Sequence, residues 1–341
     1  MTENGDFLAP FEKVVAGFHL KKKRLRERPF LFFTFGREFD LFAEYCYNCF
    51  IMRLAEECKS CLYKSQMGKV ERTQTDKVKL EEFKRGVKNL CENAPKDYCS
   101  PLLMRDINRL HCKIFGTGID YSREKTEFNA VLLAMEAALY SRVVASDDPL
   151  KEALKFSMAA NYIDFARLGD LNADSVQVVL SAAERADVDG GVLSAFKDSL
   201  ERAETLCFLH DNCGEIVLDK ILIRVIKLLY PQISVTSVVR GAPVINDVTV
   251  EDARQVGLHD FAKVIDNGAD VPGTYLKEIS PAVIDLLRHS TVIISKGLGN
   301  LETLYGEGFE IYYAFTCKCG HITEQFGFPM WAAAFMREGT L

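Results

Sequence analysis

The sequence predicts an α/β protein: a Rossmann-like, mostly parallel sheet flanked by helices, with an all-helical N-terminal domain. Residues 39–203 hold long stretches of helical spacing and almost no β-rich runs. From residue 204 the texture changes to short β-branched runs, each followed by a polar or Gly-bearing loop and usually by another helical stretch. Strands that alternate with helices pair in parallel through right-handed crossovers, which covers both faces of the sheet. With 341 residues, 48% hydrophobic and 11% aromatic, the chain is ample for a large buried core.

In chain order, residues 1–38 read as an N-terminal extension, and its basic run from Lys21 to Arg28 reads as a solvated segment, with a nuclear-targeting or nucleic-acid patch as the alternative. Residues 39–203 form the helical domain, expected to wall one side of a cleft. Its stretch from Tyr45 to Tyr63 contains neither Gly nor Pro and reads as one helix. On one helix the pairs Cys46/Cys49 and Cys58/Cys61 lie ~18 Å apart, too far for a shared zinc ion. Thiols packing the helix are therefore expected, with a metal site completed by Cys317 and Cys319, or redox chemistry, as alternatives. Residues 204–341 form the α/β domain, with strands in ETLCFLH, ISVTSVV, AKVI, TVIIS and IYYAF and a terminal helix in FPMWAAAF.

A formal charge of −6 gives no pull towards nucleic acid or anionic lipid, so a small molecule is the expected partner. No apolar stretch approaches the ~20 residues that cross a bilayer. The N-terminus lacks the order of a secretion signal, and 11 cysteines, an odd count, fit reduced thiols. The expected location is cytoplasmic.

Chemistry-bearing residues collect after the strands, where parallel sheets bind ligands. The first loop carries Asp211-Asn212-Cys213-Gly214-Glu215, and Glu215 and Asp219 share a face in the first turns of the next helix. The second carries Arg240-Gly241 and Asn246-Asp247 and ends at Thr249, whose spacing from Asp252 is that of a capping box. The third runs from Asp266 to Thr274, and the fourth holds Lys296-Gly297-Leu298-Gly299-Asn300. Carboxylate and amide oxygens are hard ligands that suit Mg²⁺ or Mn²⁺, while a lysine and glycine-opened backbone suit phosphate. Asp, Asn and Gly are also the commonest turn residues, so one such loop means little. Four on one sheet edge suggest a metal-assisted phosphoryl site. SKGLGN matches neither a dinucleotide fingerprint nor a Walker A loop.

HDNCGEIVLDK, RGAPVINDVTVEDA, DNGADVPGT and IISKGLGNLE, in this order and spacing, resemble the damage-control phosphatase family. CYNCFIMRLAEE, GTGIDYSREKTEFNA, AANYIDFARLG and CKCGH resemble further segments of its Cys-x-x-Cys-bearing microbial branch, so the likeness runs from about Cys46 to His321. The chain departs from the family pattern in having no proline between Asp120 and Tyr121, and Ala160 where glycine usually precedes Asn161. The resemblance implies a phosphatase that hydrolyses phosphate monoesters of small metabolites, such as sugar phosphates, nucleotides or phosphopantetheine-like compounds, in a house-cleaning role. It implies a divalent ion, Mg²⁺, Mn²⁺, Co²⁺ or Ni²⁺, held by Asp211, Asn212 and Asp247. Lys296 would bind the phosphoryl group, and Asn161, Asp164, Arg240, Gly241, Gly297 and Asn300 would line the pocket.

The nucleophile is then either the Asp211 carboxylate or a metal-activated water, with Asp164 or Glu215 relaying the proton. Specificity is expected from residues 121–129 and 161–167, which belong to the helical domain. Carboxyl methyl transfer from S-adenosylmethionine, attached to a relative in the family, and non-catalytic binding of a phosphometabolite are the alternative functions.

Overall fold

The five β-rich runs form strands β1 (Thr205–Leu209), β2 (Ser234–Val239), β3 (Lys263–Asp266), β4 (Val292–Lys296) and β5 (Ile311–Thr316). All five pair in parallel, and β6 (Ala333–Arg337) adds to β5 in the opposite direction. The order across the sheet is β3-β2-β1-β4-β5-β6. This is a doubly wound sheet, with its reversal of winding between β1 and β4. The computed structural model describes residues 52–161 and 180–339, which fall within one unit from Phe50 to Leu341.

Strand β6 occupies the segment that the sequence assigned to a terminal helix. Ala334 and Met336 pack on one face of the sheet and Phe335 on the other. A strand buried on both sides shows no alternation of polar and apolar residues, and Ala and Met favour helix in isolation. Strand pairing overrides that preference.

The helices before the sheet are α1 (Glu56–Thr73), α2 (Lys77–Glu92), α3 (Ser100–Phe115), α4 (Ser122–Val144), α5 (Pro149–Ala160) and α6 (Gly190–Glu201). The stretch read as one helix from Tyr45 does not continue through Met52–Ala55, which is non-helical, and α1 starts only at Glu56. Tertiary contacts account for the break: Met52 is buried beside Cys99 and Leu102, and the Leu54 N–H donates to the Tyr98 carbonyl at 2.7 Å. Cys46 and Cys49 lie outside the described residues.

The later helices are α7 (Glu215–Leu229), α8 (Val250–Gln255), α9 (Pro281–His289), α10 (Gly297–Leu304) and α11 (Gly320–Phe326). Side chains of β1 alternate between two cores. Leu206 and Phe208 face α4, α5 and α7, whereas Cys207 and Leu209 face α9 and α10. Helices α1, α2 and α3 enclose a smaller cluster around Phe83, Val87 and Ile107. Helix α7 is buried along most of its length, and its basic stripe is used locally: Lys220 and Arg224 grip Glu136 of α4 at 2.7 and 3.0 Å. No helix among the described residues is long and apolar enough to cross a membrane.

Candidate active site

The loops after β1 and β2 meet at the point where the winding reverses. Asn212 and Asp247 form an isolated antiparallel bridge, and the flanking backbone adds Cys213 N–H to Asn246 O and Val248 N–H to Asp211 O, both at 2.9 Å. This small ladder sets Asp211, Asn212 and Asp247 side by side. Gly214, at φ 81°, then turns the chain into α7; a Cβ there would stand 2.0 Å from the Phe128 ring. The Thr249–Asp252 capping box that starts α8 is formed as the spacing predicts, and it anchors the far end of the Asp247 loop.

From the other side of the reversal, β4 ends at Lys296 and α10 begins at Gly297, φ 77°. A Cβ on Gly297 would lie 1.9 Å from Asp211 Oδ2, so only glycine lets that carboxylate rest against the start of α10. Asp211 Oδ2 accepts from the Asn212 and Asn161 amides at 2.7 and 3.1 Å, and the same amides donate to Glu215 Oε1 at 2.7 and 2.6 Å. Asn161 is itself held by the Thr316 N–H at 3.2 Å.

Arg240 stands between the two aspartates. Its Nε donates to Asp247 Oδ2 at 2.6 Å, its Nη1 to Asn300 Oδ1 at 3.2 Å, and its Nη2 lies 3.6 Å from Asp211 Oδ1. Asn300 is fixed in turn by the His210 and Lys296 carbonyls and by the Thr274 hydroxyl. Gly241 has a different part: its N–H is taken by Ala269 O and Asn267 Oδ1, and a Cβ would collide with the Gly268 backbone. It packs the second loop on the third. Asp270, in that third loop, pairs outward with Arg109.

Lys296 is fully buried. Its ammonium donates to Asp219 Oδ1 at 2.7 Å, to the Ser157 carbonyl at 2.5 Å and to the Ser157 hydroxyl at 3.0 Å, with Glu215 Oε2 at 3.5 Å. Burial opposes its charge, yet Asp219 and Glu215 more than offset this and hold the pKa above the ordinary lysine value. Burial likewise works against the Asp219 carboxylate, but Lys296 and His210 bring its pKa below normal. Ser157 and Asp219 were not singled out as site residues by the sequence; the only signal was the i, i+4 spacing of Asp219 from Glu215. Asp164 lies outside the described residues.

Burial pushes the carboxyls of Asp211 and Asp247 upward, and Glu215 adds to the effect on both. Two buried polar atoms, Glu215 Oε2 and Arg240 Nη2, have no hydrogen-bond partner. Asp211 and Asp247 share a single guanidinium, Arg240, whose Nη2 makes no hydrogen bond; carboxylates crowded round so little positive charge suit a hard cation. Among the described residues no three His, Cys, Asp or Glu side chains form a metal cluster by themselves. The side chains that could hold a cation here are Asp211, Asn212 and Asp247, two carboxylates and an amide.

These residues open on a cavity of about 190 Å³. Its outer wall comes from Leu62 of α1, Ser100, Pro101 and Met104 of α3, Ile245, Pro272 and Glu302. Residues 121–129, expected to shape specificity, do not line it: Phe128 packs on Gly214, and Asn129 Oδ1 accepts the Gly214 N–H at 2.7 Å. They position the metal loop from behind. Beyond the wall, the Cys58 and Cys319 side chains interact with each other. That contact raises the Cys58 pKa and holds the Cys319 thiol down at about 5.

The winding order and the carboxylate-amide cluster at its reversal define a doubly wound α/β protein with a polar site at the switch point. The chain belongs to the damage-control phosphatase ARMT1-like domain family, whose model matches residues 44–332. It is similar to a damage-control phosphatase of Archaeoglobus fulgidus, 27% identical over 285 residues, covering 81% of this chain and 96% of that protein. A damage-control phosphatase of Pyrococcus horikoshii is 31% identical over 187 residues, 54% of this chain and 64% of that protein. The crystal structure of a DUF89 family protein from Pyrococcus horikoshii superposes with a TM-score of 0.74 at 26% identity, covering 84% of this chain and 99% of that one.

Proposed function

We propose that the protein is a divalent-metal-dependent phosphatase that hydrolyses phosphate monoesters of small metabolites. The observation that carries this reading is the bridged pair of loops that sets Asp211, Asn212 and Asp247 together beside the Arg240 guanidinium. Family membership supports the reaction class. A cavity of about 190 Å³ matches a phosphoryl group with a short organic moiety better than a large ligand.

A bound Mg²⁺, Mn²⁺, Co²⁺ or Ni²⁺ would supply Lewis acidity at the phosphoryl oxygens. Within the chain, Arg240 and Lys296 supply buried positive charge behind Asp211, Asp247 and Glu215, on the side away from the cavity. Asp211 either attacks phosphorus with its carboxylate, forming an aspartyl-phosphate, or orients the attacking water. Asn161 and Asn212 hold the Asp211 side chain in one orientation for either path.

The test is release of inorganic phosphate from sugar phosphates, nucleotides and phosphopantetheine derivatives, with each metal and with chelator. Metal-dependent release that is lost in Asp247→Asn is expected. No release from any substrate with any of the four metals overturns the reading, and methyl transfer from S-adenosylmethionine without phosphate release would replace it.

A further inference from the structure

We propose that Glu302 is the general acid that protonates the leaving-group oxygen, an inference that rests on the phosphatase reading above and deepens it. Glu302 sits on the second turn of α10, the helix whose first residue touches Asp211, and its side chain lines the same cavity as Asp211, Asn212 and Asp247. Its Oε2 accepts the Ser100 N–H at 3.2 Å, which fixes the carboxyl at the start of α3. One oxygen is thus anchored on the wall that a substrate's organic part would meet.

Among the described residues, the other acidic groups beside Asp211 are committed elsewhere. Glu215 Oε1 takes two amide donors and its Oε2 faces Lys296 at 3.5 Å, below the site. Asp219 is occupied by Lys296, Ser157 and His210. Asp247 is held by Arg240.

Glu302 has a charge environment suited to the task. Burial, opposed by the Ser100 hydrogen bonds and aided by Cys319, pushes its pKa up to about 7. The groups facing it are Ser100 from α3, Cys319 from the loop before α11 with Cys58 of α1 behind, and Asp211 and Asp247 across the cavity. A carboxyl half protonated near neutrality matches a proton donor at working pH.

The step balances in either path. As the nucleophile forms its bond to phosphorus, the ester P–O bond breaks, its electron pair goes to the leaving oxygen, and that oxygen takes the Glu302 proton. The carboxylate left behind recovers a proton from the attacking water, in the same step or when water cleaves the phosphorylated Asp211.

The experiment compares Glu302→Gln with wild type on an alkyl phosphate, whose alkoxide needs a proton, and on 4-nitrophenyl phosphate, whose phenolate does not. General-acid catalysis is worth about 10²–10⁴-fold. The expected result is a loss of kcat of about 100-fold or more on the alkyl ester, with a loss of no more than about 5-fold on the nitrophenyl ester. The fall of wild-type kcat/KM above about pH 7 on the alkyl ester should be absent in the variant. Equal losses on both esters, or a retained basic limb, overturn the assignment. Release of nitrophenol by neither protein, with any of the metals, instead overturns the phosphatase reading itself and the assignment with it.

Discussion

At the scale of single residues, the site depends on what position 297 lacks. Gly297→Ala places a methyl group against Asp211 Oδ2 and imposes a side chain on a φ of 77°. The expected outcome is a fall in kcat/KM of at least about 100-fold, since small displacements of reacting groups carry that order of cost. The accompanying loss of stability in urea unfolding should be only about 1–3 kcal/mol. The three proposed metal ligands came from the family resemblance; that Asp211, Asn212 and Asp247 lie on loops after two strands was legible in the turn-forming stretches around them. The layer beneath them was not. Asp219 reaches Lys296 across 77 positions and Ser157 reaches Asp219 across 62, separations that no local pattern encodes. Glu302 was visible only as a residue after SKGLGN; its partner Ser100 lies 202 positions away.

Among the elements, α8 shows local sequence and site geometry working together. Thr249 and Asp252 bond reciprocally at its start, and the segment entering it carries Asp247. Thr249→Ala should lower unfolding free energy by about 1 kcal/mol, the usual worth of a helix cap, measured by denaturant titration. It should also weaken metal binding, read by calorimetry, because the Asp247 loop loses its fixed end; metal affinity equal to wild type would show that the bridge to Asn212 holds the loop unaided. Strands β1 to β5 were readable from β-branched runs between turn residues. Strand β6 was not, because Ala-Ala-Phe-Met-Arg carries no β-branched residue and is covered on both faces. The start of α1 was missed for a complementary reason. Absence of Gly and Pro permits a helix, but the bond from Leu54 to Tyr98 and the burial of Met52 hold the preceding residues out of it.

Over the whole molecule, the alternation of strands and helices announced a parallel sheet but not its order. The order depends on which face each crossover helix covers, and that follows from the two cores. It places β1 beside β4, so residues 211 and 297 meet although 86 positions separate them in the sequence. A fold that gathers buried carboxylates at this junction gains stability from any cation that binds only the folded state. Manganese at about 100 times its Kd should add about 2.7 kcal/mol and raise Tm by about 4 °C. In Asp247→Asn the rise should vanish in differential scanning calorimetry; an unchanged rise would place the ion elsewhere.

Of the described strands, β3 is the parallel one left at an outer margin, and its residues Lys263 and Asp266 are exposed at either end of only four residues. Unsatisfied amides along such a margin invite a second molecule to zip on. A strip of only four residues bracketed by opposite charges sets Lys against Lys and Asp against Asp in parallel in-register pairing, which makes that zippering costly. The short, charged rim thus disfavours the in-register stacking of copies along that side of the sheet.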